Sequence, residues 1–407
     1  MPKNNYIVGF DIGTKKVSAI IGEITEDKKI EIIGIGNAES RGLRKGVVVN
    51  LEATINAIKK AQEEAELMAG VEIESAFVGI SGAHIKSFNS RGVIAVSSKN
   101  REISHEDIKR AVNQAKAVSI PPDREIIHVI PQEFVVDEQD GIKDPIGMSG
   151  IKLEVNVHIV TSALTSVQNL RTCVERAGIE IEQIFLNQIA TAASTLTPDE
   201  QELGVGLIDI GGGTTEVAIF ERGSLWYTSI IPIGGDNFTN DIAVGLRTPI
   251  PEAEKIKKKY GCVESPLVDE QETIEVPSVG HKPKKRVLSR QILAGIIQPR
   301  AEEIFRLVET DIKRMGYEKS LNSGIVLTGG TAMLDGLGEV AEEIFDLPVR
   351  RGDPTGVGGL ADRASTPDYA TAVGLLLYGY IQWQEKTIAK DRKRGLWIKI
   401  KDWFKEA

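Results

Sequence analysis

The sequence predicts an α/β protein with two similar halves that face one ligand. Gly204–Phe220 contains an apolar strand, Asp209, a turn rich in glycine and threonine, and a second apolar strand. The same order of strand, Asp-Ile-Gly, threonine and strand occurs at Ile7–Ile20, where Asp11 takes the place of Asp209. Glycine permits positive φ angles and close approach, so each turn can present backbone N–H groups to an anion. Two such hairpins, half a chain apart, indicate a duplicated domain.

Composition excludes several classes of protein. A chain of 407 residues is long enough for two domains or more, and 41% apolar with 26% charged residues is ordinary for a globular protein. The net charge of −9 argues against a general nucleic-acid binder. Cys173 and Cys262 lack CxxC spacing, which excludes a disulfide framework and fits a reducing cytoplasm. We expect no signal peptide, and the longest apolar run, near Gly374–Ile381, is too short to span a bilayer.

Apolar periodicity and capping residues give the order of elements in the first half. Tyr6–Gly22 is predicted to be a hairpin, Ile30–Gly36 a third strand and Ser75–Ile80 a fourth. Before the fourth strand, Asn50 can cap a helix that ends at Gly70. The apolar face of this helix is predicted to contain Ile55, Ile58, Ala65 and Met68. The resulting order is β-β-β-α-β.

A change in the pattern of predicted strands and helices indicates a small inserted unit between His84 and Thr161. Ser104 and Asp107 have the spacing of a capping box and predict a helix that ends before Pro121. Short strands are predicted at residues 92–96, 126–136 and 151–159. The unit therefore has β-α-β-β order and the size of a small domain.

The α/β pattern then returns and continues towards a charged C-terminal end. Helices are predicted at residues 165–177, 188–196, 251–260, 291–315 and 366–379. Leu225–Ile231 is predicted to be a strand, and Gly324–Leu334 a strand, a Gly-Gly turn and a helix. Pro198–Glu202 is predicted to be a polar crossing, and Glu264–Arg290 to contain short strands.

The two glycine-rich turns suit a nucleotide with its magnesium ion. An aspartate at a strand end can hold a hydrated magnesium ion while the adjoining turn holds phosphates. A single turn of this kind is weak evidence, because glycine-rich turns are common after strands. The pair of turns, with Gly329 and Gly330 at a third strand end, favours a clamp on ATP. The GxxxxGK[ST] pattern is absent, which excludes a P-loop NTPase, and Gly211–Glu216 does not fit GxGxxG.

These motifs resemble those of a known superfamily. Asp11–Thr14, Asp209–Thr215, Gly234–Asp236 and Leu327–Thr331 together resemble the nucleotide-binding motifs of actin, Hsp70 and the sugar kinases. Within that superfamily the chain resembles the bacterial FtsA family over nearly its whole length. The telling stretches are Ser40–Leu43, His128–Glu133, Glu275–Gly280, Gly324–Gly330 and Ala372–Leu376. The resemblance implies a duplicated actin/Hsp70-like ATPase fold with an inserted α+β subdomain and a C-terminal amphipathic helix.

The resemblance also implies a division of the chain. The first actin-like core would contain residues 1–83, 162–197 and 365–383, with the inserted subdomain at 84–161. The second core would contain residues 198–232 and 299–364, with a smaller subdomain at 233–298. A charged linker at 384–394 would lead to the amphipathic helix at 395–407.

The resemblance further implies roles for site residues. Asp11 and Asp209 would face magnesium through water, and Gln188 would position the attacking water, so that ATP hydrolysis is at most slow. Phosphate contacts would come from Gly13, Thr14, Lys15, Gly211, Gly212, Gly213, Thr214 and Thr215. Other nucleotide contacts would come from Gly234, Gly235, Asp236, Glu254, Lys257, Lys258, Gly329, Gly330 and Thr331. The alternative for Lys257–Lys259 is a solvated basic helix face. The three histidines His84, His128 and His158 are predicted to be structural or surface residues, because no metal-ligand spacing pairs them.

The C-terminal segment is the second informative part of the sequence. On a helix, Leu396, Trp397, Ile400, Trp403 and Phe404 fall on one face. Residues 384–407 contain eight basic and four acidic residues, a difference of +4 against −9 for the whole chain. A basic linker and an aromatic amphipathic helix suit the surface of an anionic membrane. The alternative is a helix that packs on the protein's own core or on a partner.

We expect a cell-division adaptor rather than a metabolic enzyme. The resemblance implies filaments of this chain on the cytoplasmic face of the bacterial membrane, at the septum, that tether the FtsZ ring. The FtsZ tail would contact Lys285, Arg286 and Arg290, and the inserted unit would contact later division proteins and other copies. One alternative is a small-molecule kinase of the same superfamily, but no further aspartate motif supplies a catalytic base. Another is the pilus-assembly relative PilM, against which Glu275–Gly280 and the C-terminal segment argue.

Overall fold

The computed structural model describes residues 5–98, 100–264, 268–269, 271–279 and 285–391. The helices in chain order are α1 (Leu51–Ala69), α2 (His105–Lys116), α3 (Leu164–Ala177), α4 (Asn187–Thr195), α5 (Pro198–Leu203), α6 (Gly235–Gly245), α7 (Ile250–Tyr260), α8 (Arg290–Met315), α9 (Leu337–Phe345) and α10 (Ala370–Asp391). The strands in chain order are β1 (Tyr6–Ile12), β2 (Lys16–Ile24), β3 (Ile30–Glu39), β4 (Leu43–Arg44), β5 (Val47–Val48), β6 (Ser75–Ile80), β7 (Lys86–Ala95), β8 (Arg124–Val136), β9 (Gln139–Ile142), β10 (Lys152–Ala163), β11 (Glu180–Leu186), β12 (Val205–Ile210), β13 (Thr215–Glu221), β14 (Ser224–Ile231), β15 (Thr273–Pro277), β16 (Lys285–Ser289), β17 (Ile325–Thr328), β18 (Val349–Arg351) and β19 (Gly358–Gly359).

The two halves are built on sheets of the same topology. The first sheet has the order β11-β6-β1-β2-β3-β19, and the second has the order β14-β13-β12-β17-β18. In each sheet an antiparallel hairpin pairs through its first strand with a parallel neighbour, β6 beside β1 and β17 beside β12. Read from β3 and from β14, the two orders correspond strand for strand apart from β19. The duplicated α/β fold predicted from the two hairpins is confirmed.

Local signals place the first helix where the sequence predicts it. The Asn50 side chain accepts a hydrogen bond from the Ala53 amide, and Gly70 ends α1 in the left-handed region at φ 71°. That conformation favours glycine because a Cβ atom would be strained there. Ile55, Ile58 and Ala65 are buried, but Met68 is 38% exposed. The prediction that Met68 belongs to the buried face is therefore wrong.

The inserted unit is an α+β layer with its own core. Its sheet has the order β7-β10-β8-β9, and α2 packs on β7 and β10. Ser104 and Asp107 form the capping box that the sequence predicts at the start of α2. The β9 strand was not predicted from the sequence. It follows a tight turn at Asp137 and Glu138, and both of these residues adopt positive φ. Buried apolar side chains of α2, β8 and β10 fill the space between helix and sheet.

The inserted unit also packs against β14, the edge strand of the second sheet. The buried His158 ring hydrogen-bonds through Nε2 to Thr228 Oγ1 at 2.9 Å and through Nδ1 to Asn89 Oδ1 at 2.6 Å. Gln132 Nε2 donates to the Leu225 carbonyl oxygen at 3.1 Å, and Ser87 Oγ donates to the Thr228 carbonyl oxygen at 2.9 Å. Side chains of the insert thus satisfy carbonyl groups that an edge strand leaves unpaired. Burial lowers the pKa of the three histidines His84, His128 and His158 to about 4, 4 and 3.

Two boundaries differ from the sequence predictions. Pro198–Glu202, expected as a polar crossing, lies in the helix α5, because Thr197 and Glu200 form a capping box and Pro198 starts the helix. The last helix continues past its expected end at Gly379 to Asp391, so the expected linker at 384–394 begins as helix. No helix within the described part of the chain has the length and hydropathy to cross a membrane.

Candidate nucleotide-binding site

The two glycine-rich turns face each other across a cleft between the halves. Both turns close in the same way, with Gly13 N bonded to the Lys16 carbonyl oxygen and Gly211 N to the Thr214 carbonyl oxygen, each at 2.9 Å. A Cβ atom on Gly212 would lie 2.5 Å from Lys15 Cγ. A Cβ atom on Gly213 would lie 2.9 Å from Thr14 Oγ1. Glycine is required at these positions because the turns nearly touch.

The cleft contains a cavity of about 390 Å³. It is lined by many of the residues predicted from the sequence, namely Asp11, Lys15, Asp209, Gly211, Gly212, Gly235, Glu254, Lys257, Lys258, Gly329, Gly330 and Thr331. The other predicted residues Gly13, Thr14, Gly213, Thr214, Thr215, Gly234 and Asp236 belong to the same turns and to the start of α6. The size falls in the range of small-molecule sites, and the wall combines backbone of glycine turns with charged side chains.

Asp11 and Asp209 lie at matching ends of the two central strands, β1 and β12. Desolvation raises the pKa of Asp11 to about 6, which Lys16 opposes and Asp368 reinforces. Desolvation also raises the pKa of Asp209 to about 7, and the negative charge of Asp11 is the second cause. Thr191 Oγ1 and Thr371 Oγ1 donate to Asp209 Oδ2 at 3.4 and 3.5 Å. Two buried carboxyl groups with raised pKa values, one of them raised in part by the charge of the other, favour a cation beside them.

The donor set fits magnesium held through water. In the described ranges, no three His, Cys, Asp or Glu side chains are arranged as a direct metal cage. Magnesium keeps several waters and is usually bound by one or two carboxylates together with substrate phosphates. Asp11 and Asp209 would supply the carboxylates, and the facing turns would supply N–H groups for phosphates.

Lysines of the first turn pair with acids around the cleft. Lys15 Nζ lies 2.5 Å from Asp236 Oδ1 at the start of α6, in the second half. Lys16 Nζ lies 2.5 Å from Asp368 Oδ2 and 3.6 Å from the centre of the Tyr369 ring. Both lysines line the cavity, where a phosphate could accept charge-assisted hydrogen bonds from them.

The other end of the cavity is formed by α7 and by the turn after β17. Lys257 is buried and donates through Nζ to the Gly235 carbonyl oxygen at 2.9 Å and to Thr239 Oγ1 at 2.8 Å. Glu254 Oε2 lies 2.8 Å from the same nitrogen. Lys258 is instead exposed, 3.6 Å from Glu254. The basic face predicted for Lys257–Lys259 is thus only partly solvated, because Lys257 braces α7 against α6.

The turn after β17 approaches Asp209 closely. Gly329 has φ 84°, and a Cβ atom there would lie 2.2 Å from Asp209 Oδ1. Thr331 Oγ1 donates to the Gly211 carbonyl oxygen at 3.3 Å. Gly235 N donates to the same carbonyl oxygen at 2.9 Å. Gly329, Gly235 and Thr331 therefore fix the second glycine-rich turn in position.

The structure does not bring Gln188 to the wall of the cavity. Gln188 is buried, and its Nε2 donates to the Ser229 carbonyl oxygen at 3.4 Å. The preceding residue of α4, Asn187, lines the cavity instead. Successive side chains on a helix point about 100° apart. A sequence match that is uncertain by one residue therefore does not decide which side chain faces the cavity.

Glu216 is a cleft residue that the sequence analysis missed. It follows the two threonines of the turn and lies opposite Asp209 in the β12–β13 register. Ser81 Oγ, from the first half, donates to Glu216 Oε1, and no described residue hydrogen-bonds to Oε2. Burial, and then the charge of Asp209, raises its pKa well above the ordinary value. The available signal was a carboxylate directly after the turn, at a position whose side chain lies on the opposite face of β13 from Thr215.

The basic residues expected to contact a partner lie on the β15–β16 hairpin and the start of α8. Lys285 is exposed and lies 2.6 Å from Glu275. Arg286 donates to the carbonyl oxygens of Leu246 and Arg247. Arg290 is 17% exposed and lies 2.9 Å from Glu272 Oε2, so its charge is already paired within the fold. The five residues expected to contact a membrane, Leu396, Trp397, Ile400, Trp403 and Phe404, lie outside the described residues.

Comparison with known proteins agrees with this architecture. Residues 206–374 match the family model of the cell division protein FtsA, and residues 82–161 match that of the SHS2 domain inserted in FtsA. The cell division protein FtsA of Pseudomonas aeruginosa is 52% identical over 92% of this chain and 89% of its own length. This chain belongs to the FtsA family. FtsA of Neisseria meningitidis is 46% identical over 100% of this chain and 99% of its own length. FtsA of Escherichia coli K12 is 42% identical over 92% and 90%.

Solved structures place the FtsA-family chain among actin-like folds. The PilM-PilN type IV pilus biogenesis complex gives a TM-score of 0.68 at 15% identity and covers 92% of this chain and 98% of its own. MreB5 of Spiroplasma citri bound to ADP gives 0.53 at 16% identity, covering 97% and 100%. At these identities the likeness shows the fold alone. The actin-like fold that the sequence motifs imply is confirmed, and the sequence relatives named above are FtsA proteins.

Proposed function

We propose that this protein binds ATP with magnesium in the cleft between its two halves. The observation that carries the proposal is the meeting of two glycine-rich turns beside Asp11 and Asp209. The turns come from different halves, so a bound triphosphate would hold both halves in one arrangement. The phosphates would lie between Lys15 and Gly212, and the adenosine between α7 and Gly330.

Magnesium would supply positive charge to the phosphates, and the chain's own residues would do the rest. Asp11 and Asp209 would hold the water shell of the ion, and Thr191 and Thr371 would orient Asp209. Glu216 would face the same cavity from β13. Hydrolysis would be at most slow, because Gln188 is turned towards Ser229 and a glutamine is a poor base.

Calorimetry with magnesium and ATP tests this assignment. Asp209→Ala is expected to weaken magnesium–ATP binding by about tenfold or more, which corresponds to about 1.4 kcal/mol or more. Asp140→Ala, the same change at an exposed position on β9, is the control and should bind like the unmodified protein. Equal affinity of the Asp209 variant and the unmodified protein would overturn the assignment.

We further propose that the protein forms actin-like filaments on the cytoplasmic face of the bacterial membrane, at the division septum. The support is the FtsA family membership together with the apolar face of Leu396, Trp397 and Phe404 behind a basic linker. A short helix binds a membrane weakly, so filaments would strengthen attachment through many copies. Full-length protein should float with anionic vesicles, and a chain ending at Arg394 should not. Equal, poor flotation of both chains would contradict the membrane role.

The subdomain around α6 and the β15–β16 hairpin is proposed to bind the acidic C-terminal tail of FtsZ. Its described surface exposes apolar side chains that include Val244, Ile250, Val287 and Ile292. Lys285 and Arg286 lie on the same hairpin as Val287. Apolar anchors beside basic groups suit a peptide with acidic and apolar residues.

The inserted unit is proposed to serve contacts between copies and with later division proteins. Its sheet has two edge strands, β7 and β9, and β7 is mostly exposed. The unit is joined to the first half by the chain and to the second by His158 and Gln132. It is therefore placed where a partner would touch both halves.

A further inference from the structure

A second cavity lies where the two halves and the inserted unit meet. Its volume is about 540 Å³, within the range of ligand-binding pockets. The walls are mainly apolar and come from all three units. They include Ile130 and Phe134 of the insert, Ile189 and Tyr378 of the first half, and Phe220 and Leu225 of the second. We refer to it as the junction cavity. It is separate from the nucleotide cleft, because α4 presents Asn187 to the cleft and Ile189 to the cavity.

We propose that the junction cavity is the docking site for the chain's own C-terminal segment, residues 396–404. This segment carries Leu396, Trp397, Ile400, Trp403 and Phe404 at helical spacing. The proposal gives the segment two alternative partners, the cavity and a membrane surface. It rests on the proposed membrane role only for the vesicle part of the test below.

The position of the last helix makes this docking feasible. α10 forms one wall of the cavity through Tyr378, Ile381 and Gln382, and it continues to Asp391. The nine steps from residue 382 to residue 391 rise about 13.5 Å along the helix. Residues 392–396 can extend about 16 Å, so Leu396 can return to the level of the cavity.

The tether also favours this occupant over a separate molecule. A segment joined to the cavity wall by a few residues has an effective concentration in the millimolar range. Aromatic side chains bury large apolar areas, and the segment holds three of them. A docked segment would link α10 to Leu225 and to Phe134, and so would fasten the halves and the insert together.

Hydrogen–deuterium exchange on the full chain, without vesicles, tests the docking. The double variant Trp397→Glu with Trp403→Glu is expected to exchange amides of Ile130–Phe134 and Gly223–Leu225 about tenfold faster than the unmodified protein. Lys399→Glu, on the opposite face of the segment, is the matched control and should exchange like the unmodified protein. Equal exchange in the double variant and the unmodified chain would overturn the proposal.

A cavity-filling variant gives an independent readout. Ala193→Trp places a ring in the junction cavity and should displace the segment. The variant is then expected to float at about tenfold lower concentration of anionic vesicles than the unmodified protein. Unchanged or weaker flotation, with an unchanged melting temperature, would contradict the docking. If Ala193→Trp does not fold, Ile381→Trp places a ring in the same cavity from α10. If neither the variant nor the unmodified protein floats, the membrane role fails, and the exchange experiment still decides the docking.

Discussion

Lys15 and Asp236 form an ion pair across the cleft, with 2.5 Å between Lys15 Nζ and Asp236 Oδ1. Lys15 belongs to the first glycine-rich turn, and Asp236 to the first turn of α6 in the second half. The side chains are 45% and 33% exposed, so the pair contributes little to stability. Its importance is positional, because the lysine lies where a triphosphate is expected to bind.

Lys15→Ala should therefore separate binding from stability. We expect magnesium–ATP affinity to fall about tenfold, or ~1.4 kcal/mol, because a phosphate contact is lost. The free energy of unfolding should change by less than about 1 kcal/mol. Calorimetry and urea unfolding measure the two quantities. Lys29→Ala, at an exposed position after β2, is the control and should change neither quantity. An unchanged affinity in Lys15→Ala would show that this lysine does not contact the nucleotide.

The buried His158 should make stability depend on pH. Burial lowers its pKa to about 3, so below about pH 6.5 the unfolded chain binds a proton that the folded protein does not. Stability should thus be retained above pH 6.5 and be lost as the pH falls, by about 1.4 kcal/mol per unit. Between pH 7.5 and 5, His158→Gln should lose ~2 kcal/mol less than the unmodified protein in urea unfolding. His105→Gln, exposed at the start of α2, is the control; a loss in His158→Gln equal to that of the unmodified chain would contradict a neutral buried histidine.

Two helical glycines should respond oppositely to the same substitution. In α10, a Cβ atom on Gly374 would lie 1.8 Å from the Ala190 carbonyl oxygen of α4. Gly374→Ala is expected to cost about 1–3 kcal/mol of unfolding free energy, because the two helices must separate. In α8, a Cβ atom on Gly295 meets nothing within 4 Å. Gly295→Ala should stabilise by about 0.5–1 kcal/mol; a neutral Gly374→Ala would show that the α4–α10 contact is looser than described.

The proposed FtsZ-tail surface can be tested with a single apolar position. Val287 is 66% exposed on β16, so Val287→Glu should leave the fold intact. It should lower the affinity for a peptide of the FtsZ C-terminal tail about tenfold, because an acidic peptide is repelled and an apolar anchor is lost. Fluorescence anisotropy with a labelled peptide measures this. Leu67→Glu, 87% exposed on α1 in the first half, is the control; equal weakening by both variants would argue against a local site.

The sequence predicts those features that depend on local pattern. The hairpins around Asp11 and Asp209, the cap at Asn50 and the capping box of Ser104 each involve residues close in the chain, and all are present. The expected turns also meet in one cleft, because the duplication predicts two facing copies.

The sequence alone does not predict which way a side chain faces or which distant residues it contacts. Gln188 and Asn187 differ by one step on α4, and the packing of α4 decides which one lines the cleft. Glu216 enters the site through its register with Asp209. The contact of His158 with Thr228 joins residues that are 70 positions apart, on different units, and no local pattern predicts it.

A crystal structure with magnesium and a non-hydrolysable ATP analogue tests the central claim most directly. We expect the triphosphate between the turns at Gly13–Lys15 and Gly211–Thr214, with magnesium bound through water to Asp11 and Asp209. We also expect Lys15 to leave Asp236 and contact a phosphate. A nucleotide bound away from these turns, or none bound at saturating concentration, would contradict the proposed nucleotide site.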